Sequence, residues 1–417
     1  MTNTNLKPKI RFIGFDADWE QRKFKELVND GILDAPLDGN HGGKHPTSND
    51  YVELGIPFLM ASDVHDGKVD IEFCKFITEE RAEHLDKGFA RNGDVLLTHK
   101  ATIGETAILQ GLKTEYAVLT PQVTYYRIQK EEKLSPKYLY AFFNSISFQN
   151  DLKAKAAQST RPYIGISAQQ NLNIVLPKNH FEQEKIGTYF LELDNLITLH
   201  QRKYDKLKTM KKACLEKMFP KEGEKVPEIR FKGFTKPWEQ RKLENVANYR
   251  NGKAHENEID DNGEYIVVNS KFVSTNGEVK KYSCVQNEPL LENEIAFVLS
   301  DVPNGRAIAR TFLVDKSNKY TLNQRIAGIT PYNDTDPYYL YIKMNRNPYF
   351  LRFDDGNKQT NLSINDVLNY EDMYPSYEEQ QKIGQFFGKL DKTITLHQRE
   401  LQKLKNIKKA LLEKMFV

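Results

Sequence analysis

The chain lacks the sequence features that are typical of several protein classes. Its three cysteines, Cys74, Cys214 and Cys284, are far apart and form no CxxC pair. This argues against a disulfide framework and a zinc site, and it suits the reducing cytoplasm. No run of about 18 apolar residues occurs, and the opening MTNTNLKPKIRF has no apolar signal-peptide core. The net charge of +3 is too small to indicate a partner.

Motifs of catalysis and cofactor binding are also missing. No HExxH or GxSxG sequence occurs. GNHGGKH, at residues 39–45, resembles a phosphate-binding loop, but it is one residue short between its glycines and lacks Ser or Thr after Lys44. NPYF, at residues 347–350, lacks the second proline of the adenine-binding motif of methyltransferases, and no glycine-rich strand precedes it. We therefore expect a binding protein with no catalytic residues, no metal site and no cofactor of its own.

What the chain does contain is a duplication. The only two tryptophans both stand in the pentapeptide WEQRK, at residues 19–23 and again 219 residues later at 238–242. The match extends over residues 8–27 and 227–246, and a longer block, residues 182–219, matches residues 379–416 at an offset of 197. A chain of 417 residues is long enough for two domains. The sequence therefore predicts one large unit repeated twice, with matched ends and different middles.

The longer repeated blocks predict two long helices. Apolar residues recur every seven positions, with a second line four residues further on, over about four to five heptads. Each helix would bury only one stripe, so we expect the two to pair. His200 and His397 are interpreted as polar positions that help to set the register of this seam rather than as metal ligands. The predicted seam residues are Ile186, Leu193, His200, Leu207, Ile383, Leu390, His397 and Leu404.

The middles have mixed α and β character. GDVLLTH, QVTYYRI and LNIVLP in the first half, and EYIVVNS, EIAFVLS and RIAGITP in the second, are turn-bounded and rich in strand-forming residues. SPKYLYAFFNSISFQNDLKAKA and DPYYLYIKMNRNPYFLRF each predict one amphipathic helix. Gln122 in LTPQ corresponds to Gln324 in TLNQ, and STRPYIGIS corresponds to NKQTNLSIN. We expect the two middles to share a fold and to differ in their surface residues.

Loops of the middles carry the signal for nucleic acid. They combine glycine, amide and hydroxyl residues with cations next to aromatic side chains, as in GGKHPTSNDY, AAQSTRPYIG and DGNKQTNLS. Lys and Arg can hold phosphates, while Arg and Gln can read base edges with two hydrogen bonds. Each loop alone is more often an ordinary surface turn, but the recurrence of such loops at matching places in both halves favours nucleic-acid binding. The candidate DNA-binding residues are Lys44, Lys100, Gln122, Thr160, Arg161, Lys253, Arg306, Gln324, Lys358 and Gln359.

The whole layout resembles the specificity subunit of Type I restriction-modification systems. The resemblance rests on the two EQxKIG…LEKMF helices and on the two P-x-I-R-F-x-G-F…WEQRK openings, and it spans essentially the whole chain. It implies an α/β (α+β) architecture in which two similar target-recognition domains are separated by two long helices, paired as an antiparallel coiled coil with pseudo-two-fold symmetry. The corresponding boundaries are residues 1–181 and 227–378 for the domains, 182–226 for the first helix with its hinge, and 379–417 for the second helix.

The resemblance also implies a function and a set of partners. Each domain would read one half of a split double-stranded DNA site, and the helices would set the spacer between the halves. Two modification subunits would use S-adenosylmethionine to methylate adenine, and motor-nuclease subunits would use ATP and Mg²⁺, all in the cytoplasm of a bacterium or archaeon. An alternative of another class is a coiled-coil scaffold whose two middles bind protein partners.

The two tryptophans allow two interpretations. Trp19 and Trp238 are most simply packing anchors at the entrance to each domain. A contact with the modification subunit is the other interpretation. Both interpretations would explain why the sequence WEQRK is identical in the two halves.

Overall fold

The structure is a computed structural model that describes residues 6–156, 162–255, 257–302 and 305–417. Its internal contacts divide the chain into two compact units. The first unit comprises residues 1–203 together with 397–417, and the second comprises residues 204–396. Each long helix therefore contributes one part to each unit. Across the described ranges, no helix has the length and the apolar character that crossing a membrane requires.

The first unit mixes short strands with short helices before its long helix begins. Its helices are α1 (Phe24–Asn29), α2 (Glu79–Glu83), α3 (Pro136–Phe143), α4 (Ile146–Ala156), α5 (Ile166–Gln170) and α6 (His180–Lys217), of which α6 continues into the second unit. Its strands are β1 (Glu20–Lys23), β2 (Leu37–Asp38), β3 (Tyr51–Val52), β4 (Ile56–Leu59), β5 (Val64–His65), β6 (Lys68–Val69), β7 (Lys75–Ile77), β8 (Phe89–Ala90), β9 (Val95–Lys100), β10 (Thr102–Ile108), β11 (Ala117–Leu119), β12 (Val123–Tyr126) and β13 (Asn173–Leu176).

The second unit repeats this organisation. Its helices are α7 (Ser270–Ser274), α8 (Pro337–Met344), α9 (Pro348–Leu351), α10 (Ile364–Leu368) and α11 (Tyr377–Lys414), of which α11 ends in the first unit. Its strands are β14 (Glu239–Lys242), β15 (Ala247–Asn251), β16 (Tyr265–Val268), β17 (Tyr282–Ser283), β18 (Ile295–Val298), β19 (Ser300–Asp301), β20 (Thr311–Leu313), β21 (Tyr320–Leu322), β22 (Ile326–Pro331), β23 (Thr360–Asn361) and β24 (Glu371–Tyr374).

The sheets show that the two middles share the order of their central strands. In the first unit the strand orders are β10–β9–β12–β2 and β3–β7–β4–β11–β8. The second unit has β20–β18–β22–β15 and β17–β16–β21 in the same places. The pairs β4–β11 and β16–β21 are both parallel, whereas their neighbours are antiparallel. The prediction of a shared fold is confirmed, and all six strands predicted from composition are present as β9, β12, β13, β16, β18 and β22.

One prediction about the middles is wrong. Each stretch predicted as a single amphipathic helix is two helices, α3 with α4 and α8 with α9. The side chain of Ser145 accepts a hydrogen bond from the backbone N–H of Phe148 and so starts α4. Asn347 caps α9 just after Arg346, whose φ is +56°. Local capping hydrogen bonds therefore interrupt the helical periodicity at both places.

The repeated WEQRK segment forms a strand and its anchor. Residues EQRK are β1 in the first unit and pair antiparallel with β13, so that Glu20 faces Leu176. In the second unit the same letters are β14, which pairs with β24 so that Glu239 faces Tyr374. In both cases the partner strand directly precedes a long helix. The repeated segment therefore fixes the start of each domain to its end.

The residues around each tryptophan also repeat. Trp19 and Trp238 are each 2% exposed, which confirms the interpretation as packing anchors. The Arg of each I-R-F opening forms a two-pronged ion pair with a buried glutamate at the start of a long helix, Arg11 with Glu182 at 2.6 and 2.8 Å and Arg230 with Glu379 at 2.7 Å for both contacts. Such fork-like pairs are strong and directional. They lock each opening onto its helix.

Residues of the two long helices contact each other within each unit. Ile186, Leu193, Ile383 and Leu390 are all buried, whereas the seam residues nearer the middle of each helix are partly exposed. In the first unit, Nδ1 of His200 and Nδ1 of His397 lie 3.1 Å apart, so one ring donates and the other accepts. The antiparallel pairing is fastened by Lys408 to Asp194 at 2.5 Å in the first unit. In the second unit the equivalent pair is Lys211 to Asp391 at 2.6 Å.

The two cores differ at one matched cluster. The core cluster that contains Trp19 includes Phe142, Leu172 and Ile174, all buried and apolar. The structurally equivalent residues of the second unit are Lys343, Tyr370 and Asp372. The ammonium of Lys343 lies 5.6 Å from the ring centre of Trp238, has a side chain that is 4% exposed, and pairs with Asp372 at 2.8 Å. A buried charged network has thus replaced an apolar cluster on the same scaffold.

Candidate nucleic-acid interface

In the first unit, three of the chain segments predicted to bind DNA meet at the end of β9. The backbone N–H of His99 donates to the carbonyl of Gln122 at 2.9 Å, and the N–H of Ile164 donates to the carbonyl of His99 at 3.2 Å. Lys100 and Tyr163 form an isolated antiparallel β-bridge through their backbones. The end of β9 therefore lies between the β11–β12 turn and the segment that leads into α5. We call this place the recognition edge of the unit.

The second unit has a recognition edge built in the same way. The N–H of Leu299 donates to the carbonyl of Arg325 at 3.1 Å, and the N–H of Leu362 donates to the carbonyl of Leu299 at 2.8 Å. The side chain of Gln359 donates to the hydroxyl of Ser300 at 2.8 Å. Ser300 occupies the place of Lys100. The predicted residues Gln324, Lys358 and Gln359 thus belong to one edge, on the segments that flank the end of β18.

The register of the strands corrects one sequence correspondence. Val123 pairs with Thr98, and Ile326 pairs with Val298, so Val123 and Ile326 are equivalent. The residue before each is Gln122 in the first unit and Arg325 in the second. Matching the letter Gln in LTPQ and TLNQ was therefore wrong by one residue. Arg325, which the sequence reasoning missed, occupies the place of Gln122.

Beneath the first recognition edge lies a polar cluster that sequence reasoning also missed. His99 is fully buried, and its Nδ1–H donates to the carbonyl of Ile164 at 3.0 Å. Burial lowers the pKa of His99 to about 4, so the ring is neutral at pH 7. Its Nε2 has no hydrogen-bond partner among the described residues and lies 4.0 Å from Asp38 Oδ2. The ring of Tyr163 lies 5.7 Å from the imidazole, centre to centre.

Asp38 carries the charge of this cluster. It is 2% exposed and accepts hydrogen bonds from Lys87 and from His41 Nε2, the latter at 2.9 Å. Although burial disfavours its charged form, these hydrogen bonds hold the pKa of Asp38 below its usual range. The equivalent residues in the second unit are Leu299 for His99 and Asn251 for Asp38. The residues beneath the two recognition edges therefore differ in polarity. The sequence alone gave no indication of this difference.

Other predicted cations have carboxylate neighbours. Lys44 pairs with Asp86 at 2.6 Å, and both side chains are more than half exposed. Lys253 pairs with Glu288 at 3.0 Å. A DNA phosphate would have to replace these partners, and an exposed pair such as Lys44 with Asp86 contributes little stability. No contact in the described ranges places Lys44 at the recognition edge.

The remaining candidate DNA-binding residues make few contacts or lie outside the described residues. Lys100, Arg306 and Lys358 are exposed. Arg306 precedes a segment that is fixed by Asp301, whose carboxylate accepts hydrogen bonds from the N–H groups of Ala307 and Ile308. Thr160 and Arg161 lie outside the described residues. For residues 6–156, 162–255, 257–302 and 305–417, no group of three or more His, Cys, Asp or Glu side chains is arranged to hold a metal ion.

The family model and the related proteins all indicate the same protein family. Residues 17–209 and 235–406 both match the family model of the Type I restriction modification DNA specificity domain. The Type I restriction enzyme MjaIX specificity subunit of Methanocaldococcus jannaschii is 24% identical over 95% of this chain and 92% of the relative. The MjaVIII specificity subunit of the same organism is 26% identical over 48% of this chain and 44% of the relative.

A solved structure shares the fold. The crystal structure of the Type I restriction-modification system S subunit from M. genitalium superimposes with a TM-score of 0.62. The alignment covers 99% of both chains at 16% sequence identity. The α+β architecture with two repeated domains and long helices is therefore that of a known structural group.

Proposed function

The chain belongs to the family of Type I restriction modification DNA specificity domains, and from this premise we propose that it is the DNA-recognition subunit of a Type I restriction-modification complex. It reads a bipartite, asymmetric DNA sequence and directs adenine methylation and DNA restriction by partner subunits. The chain itself is non-catalytic. The partners in this proposal are two modification subunits, which bind S-adenosylmethionine, and motor-nuclease subunits, which use ATP and Mg²⁺, all in the cytoplasm.

The observation that carries this proposal is the pair of recognition edges. Both edges are built from corresponding strands in the same register, yet they present different side chains. Gln122 of the first unit is equivalent to Arg325 of the second, and Lys100 is equivalent to Ser300. One scaffold that offers two different sets of hydrogen-bonding groups suits a target whose two halves differ in sequence. A protein that bound one symmetrical partner twice would need no such difference.

The physical mechanism follows from these edges. Exposed cations such as Lys100 and Lys358 provide salt-dependent attraction to the phosphate backbone. Arg and Gln side chains then read base edges in the major groove, at about 1–3 kcal/mol of discrimination for each good bidentate pair. Because both domains belong to one chain, binding of the first raises the effective concentration of the second at its half-site. Each half-site alone is therefore bound far more weakly than the complete site.

Coexpression with the modification subunits tests the proposal. Methylation-aware sequencing of DNA from cells that carry the complex should find methylated adenine at one motif with two different halves. The absence of methylation, or methylation without sequence preference, would contradict DNA recognition and would favour a scaffold for protein partners. The same reaction with the modification subunits alone is the control.

A chimera makes the test specific to the division of labour. The repeated blocks allow residues 227–378 to be replaced by residues 8–181 at matched junctions. The first half-site should then occur twice in the methylated motif, and the second should disappear. A chimera that still methylates the original asymmetric site would show that the middles do not determine sequence.

A further inference from the structure

A cavity in the second unit lies beside the recognition edge. Its volume is about 520 Å³, and it is open to solvent. Its lining comes from the end of β16 with the start of α7 and from the turn of residues 323–325 between β21 and β22. Lys281, just before β17, also lines it. The cavity therefore borders the turn that carries Arg325.

The lining of this cavity is cationic. It contains Lys271, Lys281 and Arg325, and no carboxylate residue is among the lining residues in the described part of the chain. All three cations are exposed, and within the described ranges none of them forms an ion pair. By contrast, Lys253 and Arg250 nearby are both paired with Glu288. The cavity thus brings together three exposed cations and no carboxylate among its described lining residues.

The amides and the imidazole of the lining are held in place. Asn269 accepts a hydrogen bond from the N–H of Phe272 at 2.9 Å through its side-chain oxygen. His255 is buried, and its Nδ1–H donates to the carbonyl of Lys253 at 2.8 Å. Its Nε2 lies 2.8 Å from the hydroxyl of Thr321, so both ring nitrogens have hydrogen-bond partners. Hydrogen bonds thus hold Asn269 and His255 in place, and the three cations are the exposed charged groups of the lining.

The turn itself is clamped by a close backbone approach. A Cβ on Gly252 would lie 2.0 Å from the carbonyl oxygen of Asn323, so only glycine fits there. The N–H of Gly252 donates to the carbonyl of Ile326 at 3.0 Å. In the first unit, a Cβ on Gly39 would lie 1.8 Å from the carbonyl oxygen of Leu119. Both units therefore hold the residue before β12 or β22 in a fixed backbone position, with Gln122 in one and Arg325 in the other.

We infer that this cavity is a DNA-contact site for the second half-site, in which Lys271 and Lys281 bind backbone phosphate and Arg325 reads a guanine edge. The inference rests on the proposed function and assigns that function to particular residues. A guanidinium donates two hydrogen bonds to O6 and N7 of guanine, and the amide of Gln122 at the matched position suits adenine. The position occupied by Gln122 and Arg325 is thus specificity-determining in both units.

Substitutions in the reconstituted complex test the assignment. Arg325→Gln should change the preferred base at one position of the second half-site and leave the first half-site unaltered. The expected loss on the original site is roughly 5- to 150-fold in binding. Arg325→Lys keeps the charge but loses the two-pronged geometry, so it should keep the salt dependence and lose both base preference and affinity for the original site.

The lysines should behave differently. Lys271→Gln and Lys281→Gln should weaken binding to all DNA sequences alike, and each should make the salt dependence shallower by roughly one counterion. Lys280→Gln is the matched control, because Lys280 is exposed beside Lys281 but does not line the cavity. It should leave the salt dependence as it is in the unmodified complex.

The outcomes separate this inference from the proposed function. If Arg325→Gln methylates the same motif with unchanged preference, and the lysine variants match Lys280→Gln, the cavity assignment is wrong while DNA recognition stands. If the unmodified complex shows no sequence preference at all, the proposed function is wrong. Melting curves of each variant, compared with the unmodified chain, exclude loss of folding as the cause.

Discussion

Replacing Lys343 with phenylalanine and Asp372 with isoleucine would give the second unit the side chains that the first unit has at the same places. The first unit packs Phe142 and Ile174 there, and both are buried. In the second unit the ammonium of Lys343 pairs with Asp372 at 2.8 Å, and aromatic rings surround it. Burial lowers the pKa of Lys343, and Asp372 opposes this shift. The exchange therefore tests what a buried ion pair contributes on an otherwise common scaffold.

The magnitudes follow from the exposure of the two partners. Asp372→Ile leaves a cation with a 4% exposed side chain unpaired, which should lower the free energy of unfolding of this unit by about 3–5 kcal/mol. It also removes the acceptor of the Tyr370 hydroxyl, which now donates to Asp372 at 2.6 Å. Lys343→Phe should cost less, about 1–3 kcal/mol, because the carboxylate is 25% exposed and keeps two other donors. The double variant should lie within about 2 kcal/mol of the unmodified chain.

Urea unfolding followed by tryptophan fluorescence measures these differences. The chain has only two tryptophans, so a Trp19→Phe background isolates Trp238, which lies beside Lys343. The cost of Asp372→Ile should also shrink as the pH rises toward 10.5. Below that pH the unfolded chain binds more protons than a folded state in which the pKa of Lys343 is lowered, so stability increases with pH. An Asp372→Ile variant as stable as the unmodified chain, or a double variant less stable than both single ones, would refute this reasoning.

Three further predictions concern the seam, the loops and the buried histidine. Leu193→Asp and Leu390→Asp should each destabilise their own unit by several kcal/mol because they bury an unpaired charge, whereas Leu199→Asp, at a position 60% exposed, should have little effect in the same unfolding assay. Arg161→Ala should relax the first half-site alone and Gln359→Ala the second alone in methylation-aware sequencing; a uniform loss with a shallower salt slope would instead mark these residues as phosphate contacts. Because the pKa of His99 is lowered to about 4, unfolding of the first unit should become easier as the pH falls from about 6.5 to about 4. His99→Leu, which copies Leu299, should reduce this acid sensitivity in unfolding followed by Trp19 fluorescence, and an unchanged pH dependence would contradict the assignment.

Repetition made much of the fold predictable. The heptad lines identified the long helices, because apolar residues that recur every seven positions lie on one face of a helix that needs a partner. Strand composition identified β9, β12 and their counterparts β18 and β22, which are buried on both faces. The duplicated openings indicated anchors, and both tryptophans are buried.

The recognition edge was predictable only in part. Loop composition pointed to Lys100, Gln122 and Gln359, which the strand register brings to the edges. It missed Arg325, because matching identical letters shifted the turn by one residue and only backbone pairing defines the register. It also missed Asp38 and His99, since nothing in the letters shows that two residues distant in sequence share one buried cluster.

Phe416 has a consequence for the order in which the chain folds during synthesis. It packs in the core of the first unit, 5.7 Å from Phe190 and 6.3 Å from Trp19 between ring centres. The ribosome makes residues 397–417 after all of residues 1–396, whereas the second unit is one continuous segment, residues 204–396. The half of the protein that is translated first is thus the half that is finished last. Until Phe416 has been synthesised, the aromatic core of the first unit is incomplete. During this interval the exposed core residues of the nascent chain can aggregate or bind chaperones.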